Sequence, residues 1–218
     1  MNYVISVCEP KALETLTDIH GSLELPLSVA LHGRGTAVRS MLDILGIEDN
    51  ERRVMITVAN EKKTKELIEL QKQKMFIGVP GHGIVVAVPI KSIGGGKTVA
   101  YLNEGEMNAK YTPELNYAYE LIVAVANEGR TDMVMNAARS AGATGGTVLH
   151  GKGTGTEKEK RFFNVSIAQE KEVIMIVAKA AQKSDIMKAI VEKAGPGSEA
   201  GTIVFSMPAS EIAGFGFI

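Results

Sequence analysis

The chain contains 218 residues, of which 45% are hydrophobic and 22% are charged, and its formal net charge is −1. This composition is typical of a globular protein with a buried core, and it argues against a chain that is mainly disordered. The near-neutral charge, without a dense cluster of lysine and arginine in the sequence, argues against a nucleic-acid-binding protein, because neutralising a row of phosphates needs a basic face.

The apolar segments of the sequence are short. The longest runs, LIVAVA at 121–126 and VIMIVA at 173–178, are too short to span a bilayer. The N-terminal segment MNYVISVCEPK has no basic stretch before its apolar residues, so it is not typical of a secretory signal. We therefore expect a cytoplasmic protein that does not insert directly into a membrane.

The first part of the chain predicts six elements in the order βαββαβ. Apolar runs alternate with segments of helical periodicity, and a proline in the first turn of the first helix marks where that helix begins. The predicted elements are a strand at 3–7, a helix at 10–19, strands at 27–33 and 52–59, a helix at about 64–74, and a strand at 83–89.

The second part of the chain predicts the same order again. Its first helix has Thr131 as candidate N-cap and Gly142 as its stop, and its second helix is opened by Ser184 and closed by Gly195. The predicted strands of this part lie at 119–127, 145–151, 170–179 and 201–208.

The two parts are copies of one pattern. Leu-His-Gly-basic-Gly-Thr occurs at 31–36 and again at 149–154, which is 118 positions later (149 − 31). Further along the offset becomes 119 (173 − 54), and VMITVA at 54–59 then falls on VIMIVA at 173–178. A register that holds on both sides of a one-residue insertion indicates a tandem duplication. We predict a first unit at 1–103, a linker at 104–117 and a second unit at 118–218.

The order βαββαβ predicts an α+β protein made of two tandem ferredoxin-like units. Each unit is a four-stranded antiparallel sheet with two helices on one face. The strands YELIVAVAN and EVIMIVAK are apolar on both faces, so the sheet face without helices should also be buried. Another sheet of the same kind, within the chain or between chains, would bury it. We expect an obligate homo-oligomer, preferably a trimer.

The connection between the second and third strands is long in both units. It runs over about 33–51 in the first unit and about 151–166 in the second, whereas a compact hairpin needs about two to five residues. Such connections are often binding loops. We expect the glycines at their start to take positive φ, and Arg34 or Lys152 to add a positive charge, so that backbone N–H groups gather around an anion.

The second unit resembles the PII signal-transduction family, the nitrogen regulatory proteins P-II. The resemblance is carried by AARSAGATGGTVLHGKGTG at 137–155 and EKEVIMIVAK at 170–179, and more weakly by AGPGSEAGTIVFSMPASEIAGF at 194–215. It covers 119–215 and extends more faintly over 2–94. It implies trimers of ferredoxin-like units, a long T-loop that docks into partner proteins, and ATP or ADP held between neighbouring units by the T-loop base and a glycine-rich B-loop.

The resemblance and the charges together give a set of candidate residues. For ligand or nucleotide binding in the second unit these are Gly151, Lys152, Gly153, Thr154, Lys171, Gly195, Gly197, Ser198, Gly201 and Thr202. The corresponding candidates in the first unit are Gly33, Arg34, Gly35 and Thr36. For docking of a partner they are Lys160, Arg161, Phe162 and Phe163, although the two aromatic residues could equally pack onto the sheet rim. We expect the second unit to be the binding one.

The sequence also departs from the family pattern. Thr202 stands where the B-loop of the family has a lysine, and neither long loop contains a tyrosine for uridylylation. No Ser-His-Asp arrangement, activated cysteine or carboxylate pair recurs in both units, which favours binding over catalysis, and we predict no catalytic residues and no metal site.

The sequence thus predicts a PII-like regulatory protein and not an enzyme. It should bind a small anionic effector, with ATP, ADP or AMP as the candidates, between units. It should regulate a partner, which could be an enzyme, a transporter or a transcription factor, through its long loops. Two alternatives stay open: a CutA-like trimer associated with metal tolerance, and a purely structural assembly module.

Overall fold

The fold is seen in a computed structural model of the chain. It describes residues 1–25, 28–36, 50–79, 81–90, 117–152, 161–162, 165–166 and 170–214. Nearly all of the predicted linker at 104–117 lies outside these ranges, and the predicted unit boundaries stay predictions.

The first unit has the predicted order of elements. A short 3₁₀ turn at Pro10–Ala12 leads into its first helix, with the proline in the first turn as expected. The elements are β1 (Asn2–Cys8), α1 (Leu13–Ser22), β2 (Ser28–Gly35), β3 (Glu51–Ala59), α2 (Glu61–Met75) and β4 (Gly83–Pro89).

The second unit repeats this order with additions. A pair of two-residue strands lies within its long connection, and a short strand follows its last predicted one. The elements are β5 (Tyr119–Asn127), α3 (Thr131–Ser140), β6 (Thr147–Lys152), β7 (Arg161–Phe162), β8 (Val165–Ser166), β9 (Glu170–Lys179), α4 (Ala180–Ala194), β10 (Ile203–Ala209) and β11 (Glu211–Gly214).

The strands of both units are arranged as in a ferredoxin-like fold. The order is β4-β1-β3-β2 in the first unit and β10-β5-β9-β6 in the second, and neighbouring strands are antiparallel. The two sheets join through β2 and β6, where Gly33 pairs with Leu149 and Gly35 with Thr147. The α+β prediction is confirmed, and the units share one nine-stranded sheet.

Three apolar cores hold this architecture together. One lies between helices and sheet in each unit, around Leu16 in the first and Ile186 in the second. The third joins the two sheet faces that carry no helices, and brings Ile5 and Val54 of the first unit against Leu121 and Val123 of the second. The predicted burial of that face is therefore achieved within one chain, so burial alone no longer calls for a trimer. The trimer stays a prediction.

The chain's last described strand belongs to the sheet edge of the other unit. After β10 the chain passes through Ser210, whose N–H donates to the Ala87 carbonyl at 2.8 Å, and β11 then pairs with β4, with Ile212 opposite Val86. Sequence analysis did not predict β11. It covers the outer edge of β4, which would otherwise leave backbone groups unpaired.

Two helices begin earlier than predicted. α2 starts at Glu61 because the Asn60 side chain accepts a hydrogen bond from the Lys63 N–H at 2.8 Å, which caps the helix. α4 starts at Ala180, directly after β9 and without a side-chain cap. The prediction that Ser184 opens this helix is therefore wrong. None of the described helices is long and apolar enough to cross a membrane.

One histidine of the first unit is buried with only part of its hydrogen-bonding capacity used. His20, in α1, is 3% exposed, and its Nδ1 lies 2.8 Å from the Ser28 Oγ. Its Nε2 is buried with no hydrogen-bond partner among the described residues. Burial lowers the pKa of His20 from 6.5 to about 4, because the charged ring would lose its hydration.

We expect His20 to make the fold acid-sensitive. Between about pH 7.5 and pH 5, the free energy of unfolding should fall by about 2 kcal/mol because of this residue. The unfolded chain takes up this proton around pH 6.5 and the folded chain only near pH 4, so the stability is complete above about pH 7.5 and is lost as the pH falls towards 4. Urea unfolding of His20→Asn should show a flatter profile, and exposed His32→Asn should not. Equally steep profiles for wild type and His20→Asn would contradict this.

Candidate functional site

Several described candidate residues of the second unit lie at one end of its sheet. Gly151, near the end of β6, lies opposite Lys171, near the start of β9. Lys171 in turn lies opposite Asn127, the last residue of β5. The turn at 195–202 joins α4 to β10 at the same end, because the start of an antiparallel strand lies beside the end of its neighbour.

A side chain that sequence analysis missed links these parts. The Lys171 Nζ donates to the Asn127 Oδ1 at 2.6 Å, and the Asn127 Nδ2 donates to the Glu199 carbonyl at 3.0 Å. The Asn127 N–H also donates to the Ala200 carbonyl at 2.9 Å. One available signal was that Asn127 is the polar end of an otherwise apolar strand.

The glycine-rich turn is folded by its own hydrogen bonds. Ser198 donates to the Gly195 carbonyl with its N–H at 2.9 Å and its hydroxyl at 2.8 Å, and the Thr202 N–H donates to the Ala194 carbonyl at 3.0 Å. Gly201 has φ +55°, a left-handed conformation that favours glycine. The Thr202 hydroxyl is buried without a hydrogen-bond partner among the described residues. The turn is thus pre-formed.

Two candidate glycines leave open space beside the backbone. A Cβ added at Gly151 or at Gly197 would meet no described atom within 4 Å. Gly195 is different, because a Cβ there would lie 2.3 Å from the Val191 carbonyl oxygen. Gly195 therefore permits the sharp end of α4, whereas none of the described residues occupies the space beside Gly151 and Gly197.

A buried carboxylate from β9 caps α3. The Glu172 Oε2 accepts hydrogen bonds from the Arg130 N–H at 3.2 Å, the Thr131 N–H at 2.9 Å and the Thr131 hydroxyl at 2.7 Å. Burial alone raises the pKa of Glu172, but the Thr131 hydroxyl and the backbone N–H groups of the helix start outweigh it, and the net pKa is lowered. Thr131 is the first helical residue, so its prediction as the N-cap is wrong.

Other charged side chains surround this end of the sheet. The Arg130 guanidinium lies 3.0 Å from the Glu199 carboxylate, which ties the start of α3 to the turn. The His150 Nε2 lies 3.5 Å from the Glu172 Oε1, and the His150 side chain is half-exposed. Within the described ranges, no three His, Cys, Asp or Glu side chains form a group that could hold a metal ion.

The candidate residues of the first unit lie at the junction of the units. Gly33, Arg34 and Gly35 are part of β2 and pair with β6. The Thr36 hydroxyl accepts from the Gly146 N–H at 2.8 Å and donates to the Gly146 carbonyl at 3.0 Å, and the Arg139 guanidinium donates to the Thr36 carbonyl. These groups are already used between the units, so the first unit offers fewer of them to a ligand.

The expectation of positive φ at the loop glycines is wrong for three positions. Gly33, Gly35 and Gly151 lie within strands and have no positive φ. A Cβ at Gly33 would lie 3.1 Å from the Val54 Cγ2 and 3.2 Å from the Leu149 Cδ2. The small size of Gly33 therefore serves the close approach of the two sheets.

The remaining candidates are described in part or not at all. The backbone places Lys152 at the end of β6, and Arg161 and Phe162 in β7, which pairs with β8 as a short hairpin that sequence analysis did not predict. Gly153, Thr154, Lys160 and Phe163 lie outside the described residues. The roles of all these residues stay predictions.

The chain is similar to known proteins. Residues 119–214 match the sequence model of the family "Nitrogen regulatory protein P-II". One similar solved structure is that of Arabidopsis thaliana PII bound to citrate, which is 24% identical over 43% of this chain and 76% of that chain, with a TM-score of 0.32. The search of the curated proteins gives no match.

The class of protein follows from the second unit. It is a ferredoxin-like domain, and residues 119–214, a little under half of the chain, resemble the P-II family. The second unit is therefore a PII-like domain, and a first unit with the same order of strands precedes it in the chain.

Proposed function

We propose that the protein binds a small anionic effector between units, with an adenine nucleotide as first candidate. The proposed site lies at the end of the second unit's sheet that carries Lys171 and the turn at 195–202. The observation that carries this proposal is the convergence of Gly151, Lys171 and the turn at 195–202, with no described atom within 4 Å of a Cβ added at Gly151 or Gly197. Lys171 supplies positive charge at this place, which an anion requires. We propose this unit as the binding one because the equivalent residues of the first unit hold the junction.

The turn limits how an anion would be held. Five of its N–H groups, those of Gly195, Ser198, Ala200, Gly201 and Thr202, already donate within the protein. An anion would therefore depend mainly on side-chain cations, above all Lys171, and on the space beside the glycines. This differs from a phosphate-binding loop, in which several backbone N–H groups point at the ligand.

We further propose that the connection between β6 and β9 reports the occupancy of this site to a partner protein. Both strands contribute candidate residues, so a ligand at the site acts on both ends of the connection. A regulated enzyme, transporter or transcription factor fits such a role.

The single cysteine supports a binding role over a catalytic one, because burial raises the pKa of Cys8 to about 11 and keeps its thiol protonated.

Exposed apolar side chains on β10 provide a surface that could form the contact between copies in the predicted homo-oligomer. Ile203 and Phe205, on β10, are 66% and 45% exposed, and they follow the same side of the strand as Met207 and Ala209 of the inter-sheet core. Large apolar side chains at this level of exposure suit a contact between copies. The trimer is proposed on this basis and on the known assembly of the family.

Titration calorimetry of the full chain with ATP, ADP, AMP and cyclic nucleotides tests the effector. We expect at least one of them to bind, and Lys171→Met to weaken that binding by about tenfold or more, because an ammonium group facing the anion is lost. Lys188→Met is the matched control, since Lys188 lies exposed on α4 beside Glu192 at 3.9 Å. It should bind like the wild type.

Two results would count against the proposal. If none of the nucleotides gives a binding signal in calorimetry, the effector is not one of these nucleotides. Binding that is equally tight in wild type and Lys171→Met removes Lys171 from the site. The loop's role is tested separately, by comparing which proteins a wild-type chain and a Phe162→Ala chain retain with and without the effector, where equal retention in all cases would contradict it.

A further inference from the structure

We infer that Asn127 is a positioning residue that couples the turn at 195–202 to strand β9. The site proposed above supplies the ligand in this picture, so the inference rests on that proposal for its functional meaning. The coupling is a property of the chain and can be measured without any ligand.

The chemistry of its two partners fixes how the Asn127 amide is oriented. Lys171 Nζ can only donate, so the atom 2.6 Å away must be the amide oxygen. The Glu199 carbonyl can only accept, so the atom 3.0 Å from it must be the amide nitrogen. The amide therefore has an accepting end on β9 and a donating end on the turn.

The turn also packs directly on this amide. A Cβ added at Gly201 would lie 3.2 Å from the Asn127 Nδ2, and Gly201 itself holds a left-handed φ of +55°. Rotation of the amide would lose both hydrogen bonds and change the space that the turn occupies. The position of Lys171 and the shape of the turn are consequently linked through one side chain.

The first unit provides an internal comparison. The residue equivalent to Asn127 is Glu9 (127 − 118), and the residue equivalent to Lys171 is Arg52 (171 − 119). A carboxylate accepts hydrogen bonds but cannot donate one at neutral pH, so Glu9 cannot bridge a cation and a carbonyl in the same way. The coupling is specific to the second unit, which is the unit proposed to bind.

This arrangement suggests how an effector acts on the loop. An anion that attracts Lys171 competes with the Asn127 oxygen for the ammonium group, and the freed amide loosens its hold on the turn. Conversely, a ligand that reshapes the turn moves Asn127 and changes the position of Lys171 on β9, the strand that follows the long connection. Such coupling between two sites is reciprocal.

Amide hydrogen exchange, read by mass spectrometry on the full chain, tests the coupling. Asn127→Asp keeps the acceptor for Lys171 and loses the donor, so we expect exchange in 195–202 to rise by about fivefold or more while 170–173 stays unchanged. Asn127→Ala loses both ends, and exchange should rise in both segments. Lys171→Met should raise exchange in 195–202 as well, through the released amide.

Asn60→Ala is the matched control. It removes an asparagine that caps α2 in the first unit, so it changes the fold locally and should leave 170–173 and 195–202 as in the wild type. Exchange in 195–202 within about twofold of wild type in Asn127→Ala would overturn the coupling. If Asn127→Ala raises exchange throughout the second unit, Lys171→Met decides: faster exchange in 195–202 supports the coupling, and unchanged exchange overturns it.

Hydrogen exchange measured with a bound nucleotide separates this inference from the proposed function. With a nucleotide that binds in calorimetry, exchange in the wild type should fall in 170–173, where the anion attracts Lys171, and rise in 195–202 through the freed amide. In Asn127→Ala the nucleotide should change exchange in 170–173 only. Equal nucleotide-induced changes in both segments of Asn127→Ala and wild type would overturn the coupling. If no nucleotide binds the wild type, the effector proposal fails, while the ligand-free exchange still decides the role of Asn127.

Discussion

Replacing Gly83 by alanine is expected to lower the free energy of unfolding of the first unit by about 4 kcal/mol or more. Gly83 begins β4 with φ +138°, and a Cβ there would lie 2.0 Å from the Val7 carbonyl oxygen. The obstacle is backbone of the paired strand β1, which cannot move aside as a flexible side chain could. Urea unfolding followed by circular dichroism measures the loss.

The matched control is the same substitution elsewhere in the first unit. Gly21 lies in α1 with no described atom within 4 Å of an added Cβ, so Gly21→Ala should stabilise by about 0.5–1 kcal/mol through its helix propensity. Equal stability of Gly83→Ala and wild type would show that β1 and β4 are not held at this distance.

Replacing Glu172 by alanine is expected to cost about 3 kcal/mol of unfolding free energy. The change leaves the Arg130 and Thr131 N–H groups and the Thr131 hydroxyl without their acceptor, and it removes a negative charge from the positive end of α3. Glu172→Gln keeps an acceptor oxygen and should lose about half as much. Exposed Glu192→Gln should stay within about 0.5 kcal/mol of wild type.

The Glu172 contribution depends on pH in a defined direction. The folded pKa is lowered from 4.5, so the stabilisation is fully present above about pH 4.5 and is lost as the pH falls through the folded value. The difference between wild type and Glu172→Gln should therefore narrow in acid. A difference that is constant from neutral pH to below the folded pKa would contradict the assignment of the cap to the carboxylate.

The elements of both units could be predicted from the sequence because their cause is local. The apolar run that ends at Asn127 and the run that ends at Lys179 read as strands at the bounds that the structure shows. The helix starts were less predictable. Ser184 resembles an N-cap in sequence, but the chain enters α4 straight from β9, and the cap of α3 comes from Glu172, 41 residues beyond Thr131.

The candidate site was predicted in its parts and not in its connections. The glycines and Lys171 stand out by composition, and the structure brings Gly151, Lys171 and the turn at 195–202 to one end of a sheet. Asn127 did not stand out, since its importance depends on a carbonyl of the turn and on a lysine from another strand. No local pattern records which distant groups a side chain amide will meet.

Most of the predicted fold was inferred from the repeat of one pattern in the sequence. Because the two copies keep register over most of their length, the sequence was sufficient for the βαββαβ order, the antiparallel sheets and the need to bury a second sheet face. It could not say where that face goes. In the structure, β2 pairs with β6, which requires the close approach at Gly33, and β11 pairs with β4 of the other unit.

The same difference explains the two glycine-rich stretches. Their sequences are nearly identical, and both provide candidate residues for ligand binding. In the folded protein Gly33 and Thr36 hold the two units together, while a Cβ added at Gly151 would meet no described atom within 4 Å. Periodicity and spacing are local properties that can be observed directly in a sequence. The neighbours of a backbone segment depend instead on how distant parts of the chain pack. Only the packed structure therefore distinguishes the junction between the units from the candidate site.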